Sequence, residues 1–325
     1  MMSQGKQSAV QSAAMLILLR LCTFLCSSTP FSASGAKHAL LTALLHAALI
    51  LPLLQFRSRM QIPAFLLHGY RLCAAFEAAY LTLALRRLCI QSGQQIHLLL
   101  PLLLLLLLYT VRLHERACLR TASLLLFLAA AGFLLLPLSG IGTAQRILLY
   151  TPAQPVPPGY EWADACELPF LPLLLQKQTE QAAKRSAFAW AAFRILFLPA
   201  LILFGTMQNG RLLYFQGNPF FLLRARTPLS DAVRTDGFWM LFVFGCGMLC
   251  ITFCLQTAKP PLRTQHRMHA AALLPYCFFA ALLGMLPQYA RYAGIPVLLF
   301  GILIPWATVL LRGCISMKTK RRKTA

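Results

Sequence analysis

A single polytopic membrane domain of ten apolar helices, covering 1–325, is the fold this sequence predicts, and three observations predict it. Hydrophobic residues make up 58% of the chain and charged residues only 12%, too little polar surface to coat a soluble globule. Apolar stretches long enough to cross a hydrocarbon core about 30 Å thick recur from end to end. The period-two alternation of a β-barrel is absent, which leaves a helical bundle.

The first span, 10–29, has Arg20 as its one charged residue and closes on Cys26-Ser27-Ser28-Thr29-Pro30. The second, 39–56, carries His46, read as a packing residue rather than a proton relay. The third, 64–85, holds Arg71 and Glu77, which are too far apart in sequence for a helical i,i+4 pair, so Arg71 reads as snorkelling to an interface. The fourth, 94–111, and the sixth, 160–175, are short. The fifth is 121–138, and the seventh, 186–206, contains Arg194. The eighth, 238–255, places Cys246, Cys250 and Cys254 on one helical face, where small packing residues are expected rather than a metal set. The ninth and tenth are 270–286 and 294–311, followed by a basic tail, 312–325.

The net charge of +22 does not point to nucleic acid, because the 30 Lys and Arg are scattered between apolar runs and end in the tail KTKRRK, Lys318 to Lys323. They read as topology signal and headgroup contact. With both termini cytoplasmic, inner segments hold 18 of them and outer loops nine, and Arg20, Arg71 and Arg194 fall inside spans. That bias supports ten spans. No cleaved signal peptide is expected, since only Lys6 precedes the first apolar run and no small-residue cleavage site follows it. Two outer connections are long: 139–159, with the proline-rich TPAQPVPPG, and 207–237, which mixes aromatics with charges. Cutting in the first leaves halves 10–138 and 160–311 with five spans each, the arrangement an inverted repeat requires.

An ionisable side chain near the bilayer centre costs about 2.5–3.5 kcal/mol on insertion scales, so each needs protein or water beside it. Glu167 is the most conspicuous. It sits in EWADACELPF with Glu161 and Asp164, which suit the start of a helix, and it opens an apolar run containing Pro169 and Pro172. Burial alone favours a neutral carboxyl and a nearby cation an ionised one. Prolines with polar neighbours interrupt the first and sixth spans alike. Such interruptions mark either a transporter-type midplane site or ordinary kinks. The expected ligand-binding set is Glu167, Arg20, Ser27, Ser28 and Thr29, with a structural Glu167–Arg20 ion pair as the alternative. No phosphate loop, HExxH, GxSxG or acyltransferase pair is present, so neither an enzyme, a cofactor nor a metal is expected.

Several pieces in order resemble the endospore-germination permeases, the multispanning B subunits of germinant receptors, within the amino acid-polyamine-organocation transporter superfamily. They are the first span closing on Pro30, LRTASLLLF with Arg120, Glu167 in the sixth span, GNPFFLLR before VRTDGFW with Arg234 and Asp236, LPQ at 286–288, and IPW at 304–306 before the basic tail. The chain departs from the family where LLRLCTFL, with bulky Arg20, replaces a glycine-containing break, and it lacks the family's Thr-Pro before the fourth span. The resemblance implies a five-plus-five inverted repeat with broken first and sixth helices around a small-ligand site. It further implies sensing of a germinant such as an amino acid in the spore inner membrane, beside a large membrane subunit and a lipoprotein. A secondary amino acid transporter and a scaffold subunit without ligand binding are the alternatives.

Overall fold

The computed structural model describes residues 8–26, 33–56, 62–91, 115–140, 165–209, 236–260, 265–286 and 292–312. The expected fourth span, most of both long outer loops, the tail beyond Arg312, and Ser27, Ser28, Thr29, Glu161 and Asp164 lie outside these residues.

All regular structure among the described residues is helical: α1 (Ala9–Cys26), α2 (Ala33–Ile50), α3 (Ala64–Gln91), α4 (Glu115–Gly140), α5 (Phe170–Gln176), α6 (Glu180–Ala192), α7 (Leu198–Asn209), α8 (Asp236–Ala258), α9 (Gln265–Met285) and α10 (Gly294–Leu298). A 3₁₀ turn, Leu51–Leu54, extends α2. A π-turn, Phe193–Phe197, joins α6 to α7, and a second, Leu299–Leu303, carries α10 into helix that ends at Arg312.

Among the described residues, six helical segments are long and apolar enough to cross a membrane: Ala9–Cys26, Ala33–Leu54, Glu115–Phe133, Glu180–Met207, Leu241–Ala258 and Gly294–Arg312. The chain therefore reads as an integral membrane protein. Against the ten expected spans, α3 is long but carries Arg71, Glu77, Arg86 and Arg87, and the apolar part of α9 is the shorter Ala271–Met285. Of the expected sixth span, 160–175, the described part opens on a turn, residues 166–169, and continues as α5 from Phe170.

With Arg20 as its one charge and few polar residues, α1 occupies the centre, every residue from Ser12 to Cys26 being buried. It packs on α3, α4, α5, α6 and α8. Alanines 74, 75, 78 and 79 on α3 are buried, and small residues of this kind let helix axes approach where no hydrophobic force drives them together. The outer surface keeps large apolar side chains exposed, among them Leu44, Phe65, Phe127, Leu241 and Leu310, as lipid contact requires.

Thr179 caps α6 by accepting from the Ala182 amide at 3.3 Å, and Glu180 follows in its first turn. Trp306 ties α10's continuation to α2 by donating Nε1–H to the Leu49 carbonyl at 2.8 Å. One end of the bundle gathers the starts of α3 and α4 and the ends of α5 and α8 around a shared crevice. These are four of the ends that the charge count assigns to the inner side.

Candidate functional site

Glu167 lies in the turn that delivers the chain into α5. The turn is closed by backbone bonds from Leu168 N to the Ala165 carbonyl at 3.0 Å and from Phe170 N to the Glu167 carbonyl at 3.2 Å. Pro169, which has no amide hydrogen to donate, ends the turn as the N-cap of α5. The turn passes through the core, with Ala165, Cys166, Glu167 and Leu168 all buried. The Cys166 thiol reaches the Leu19 carbonyl of α1 at 3.8 Å, so the interrupted segment lies directly against the first helix.

Gly301, in the second π-turn, packs on this turn from the other side. A Cβ there would stand 2.7 Å from Leu168 Cβ and 3.1 Å from its carbonyl carbon, closer than real contacts allow. Glycine lets two backbones meet at the residue next to Glu167.

The cation on Glu167 is Arg194. Its Nη1 stands 3.0 Å from Glu167 Oε1, and both side chains are buried, at 2% and 0% exposure. Trp190 donates Nε1–H to the same oxygen at 3.3 Å, and Arg194 Cζ lies 5.5 Å from the centre of the Trp190 ring. Trp190 and Arg194 are separated by one helical turn at the junction of α6 with its π-turn. Such single-turn π-bulges re-aim side chains and concentrate at functional sites. Glu167 Oε2 is buried with no hydrogen-bond partner among the described residues.

The surroundings add charge of both signs. Arg20, the expected partner, is buried on α1, and His46 on α2 lies within the fields of both Arg194 and Arg20. Glu77 on α3 is wholly buried and close enough to Glu167 for their charges to repel. Neither of its oxygens has a hydrogen-bond partner among the described residues. Thiols fill much of the remaining wall: Cys22 is hydrogen-bonded to Cys250 and Cys26, and Cys73, Cys166 and Cys254 border Glu77. Among the described residues no three His, Cys, Asp or Glu side chains are arranged to hold a metal ion.

Of the expected set, the structure thus places Glu167 and Arg20 in one buried polar region, while Ser27, Ser28 and Thr29 fall outside the described residues. Sequence reasoning had flagged Arg194 and Glu77 as costly intramembrane charges without assigning them to the site. Trp190 carried no signal, since a tryptophan in an apolar span is ordinary. The arrangement presents a carboxylate with one oxygen engaged and one open, beside guanidinium groups. A carboxylate oxygen in this position can accept from one further donor. The chain has no match among family models, curated proteins or solved structures.

Proposed function

We propose that the chain is a permease-like sensor subunit of a spore germination receptor, resident in the spore inner membrane with both termini cytoplasmic. Its ligand is an amino acid or a similar small zwitterion. The observation that carries this reading is the position of Glu167: a buried carboxylate in the turn before a seven-residue helix, next to Cys166, which touches the first helix, and held by Arg194 through one oxygen. Interrupted helices that turn their ends toward a midplane polar centre are how transporter-type folds recognise small charged solutes. In this reading the ligand ammonium meets Glu167 Oε2, and the ligand carboxylate meets Arg194 or Arg20.

A ten-helix inverted repeat is part of the same proposal. The starts of α3 and α4 and the ends of α5 and α8 share one face, the parity that ten spans produce. The expected partners, a large membrane subunit and a lipoprotein, rest on the sequence resemblance.

One observation favours a scaffold without a ligand. Arg194 already balances the charge of Glu167, as a structural ion pair would. Thermal melting of the purified full chain against a panel of amino acids separates the readings. A ligand at 100 times its Kd stabilises the folded state by about 2.7 kcal/mol. Sensing requires that shift in the natural protein, its loss in a folded Glu167→Gln variant, and no net solute uptake by protein-containing vesicles. Uptake would convert the reading to a transporter. No shift with any amino acid would leave the scaffold.

A further inference from the structure

Apart from the buried centre, the bundle carries a second polar feature. The crevice at its Lys- and Arg-rich end has a volume of about 250 Å³ and lies between α3, α4, α5 and α8. Three cations line it, Arg71, Lys177 and Lys259, against one carboxylate, Glu115, leaving a net charge of two positive. Both oxygens of Glu115 are already occupied by Lys177, whose Nζ stands 2.6 and 2.7 Å away. Lys259 donates to the neutral Gln256 Oε1 at 2.7 Å, and Arg71 Nη1 is 3.5 Å from His68 Nδ1. The floor is apolar, with Leu67, Phe170 and Phe253.

We propose that this crevice binds a phosphate-bearing anion through Arg71 and Lys259. The chemistry fits in three respects. Like charges gathered in one recess repel unless an anion joins them, and a guanidinium beside an ammonium matches tetrahedral phosphate oxygens. Desolvation lowers the pKa of Lys259, so its present surroundings disfavour the charged ammonium that an anion would favour. The apolar floor under a basic rim also suits the glycerol end of an anionic phospholipid, and basic pockets between helices recognise such headgroups. A phospholipid headgroup and a soluble phosphate share this chemistry, and the experiment tells them apart.

The full chain is purified, and its melting temperature is measured in detergent with pyrophosphate against matched ionic strength of chloride. The same measurement is made in phosphatidylcholine nanodiscs with and without phosphatidylglycerol. Stabilisation by pyrophosphate above chloride identifies a soluble phosphate, and stabilisation only by phosphatidylglycerol identifies a lipid. In either case Arg71→Gln with Lys259→Gln should raise the half-saturating concentration about tenfold or more, the loss expected for charge-assisted bonds. Arg86→Gln with Arg87→Gln, which removes two exposed charges from the opposite end of α3, should not. Lys259→Arg should retain binding, and it carries the test if the double variant fails to accumulate. Equal responses to pyrophosphate, phosphatidylglycerol and their controls would overturn the proposal, as would equal losses in the two double variants.

Discussion

Removing Arg194 alone should destabilise the protein far more than removing Arg194 and Glu167 together. The two charged atoms are 3.0 Å apart and both side chains are buried. At that separation, with an effective dielectric near 20, the Coulomb attraction is about 5–6 kcal/mol, offset by several kcal/mol of desolvation for each ion. The net value of the pair is therefore small, but a widowed partner keeps its desolvation cost and loses the attraction. Arg194→Met should cost about 3–5 kcal/mol. Glu167→Gln should cost less than the arginine loss, because a glutamine oxygen can still accept from Trp190. The double variant should lie close to the natural protein, with a coupling energy of about 2 kcal/mol or more. Membrane abundance and denaturant unfolding of the four purified proteins measure the cycle. Losses that add within about 0.5 kcal/mol would refute the buried pair.

Gly301→Ala should lower the melting temperature, with a loss of about 1–3 kcal/mol, because its Cβ would meet the backbone at Leu168 rather than the end of a flexible side chain. A variant as stable as the natural chain would show that this turn can yield. Glu77→Met should raise stability by about 1–3 kcal/mol, since it replaces a buried carboxyl lacking a hydrogen-bond partner among the described residues with an apolar chain of similar length. Loss of stability in that variant would show that the carboxyl is held by an interaction beyond those residues. Lys259 provides a pH test. Its folded pKa is depressed below 10.5, so in the window between the two values the unfolded chain binds more protons, and the contribution of Lys259 to stability rises with pH. That contribution is fully present above 10.5 and is lost as pH falls through the folded value. A melting series at alkaline pH should show the rise as a difference between the natural protein and Lys259→Gln; parallel curves would remove Lys259 as its source.

Much of the fold was legible because membrane insertion depends on local sums of hydropathy. The spans read at 10–29, 39–56, 238–255 and 294–311 correspond to α1, α2 with its 3₁₀ turn, α8, and α10 with its continuation, differing at the ends by a few residues. The same local logic singled out Arg20, Glu77, Glu167 and Arg194, since each carries an insertion cost whatever its neighbours. It located Pro169, which caps the short α5. What it could not supply was partnership. From the sequence Arg20 is the expected cation for Glu167, and the pairing with Arg194 instead depends on how α1 and α6 are rotated about their axes. The π-turn after Ala192 and the close contact of Gly301 with Leu168 contribute to that rotation and position. Hydropathy is a property of a segment taken alone, whereas an ion pair is a property of two segments and the angle between them. The sequence by itself therefore determined which groups must be sheltered from lipid, and only the tertiary structure decided that Arg194 and Trp190 shelter Glu167.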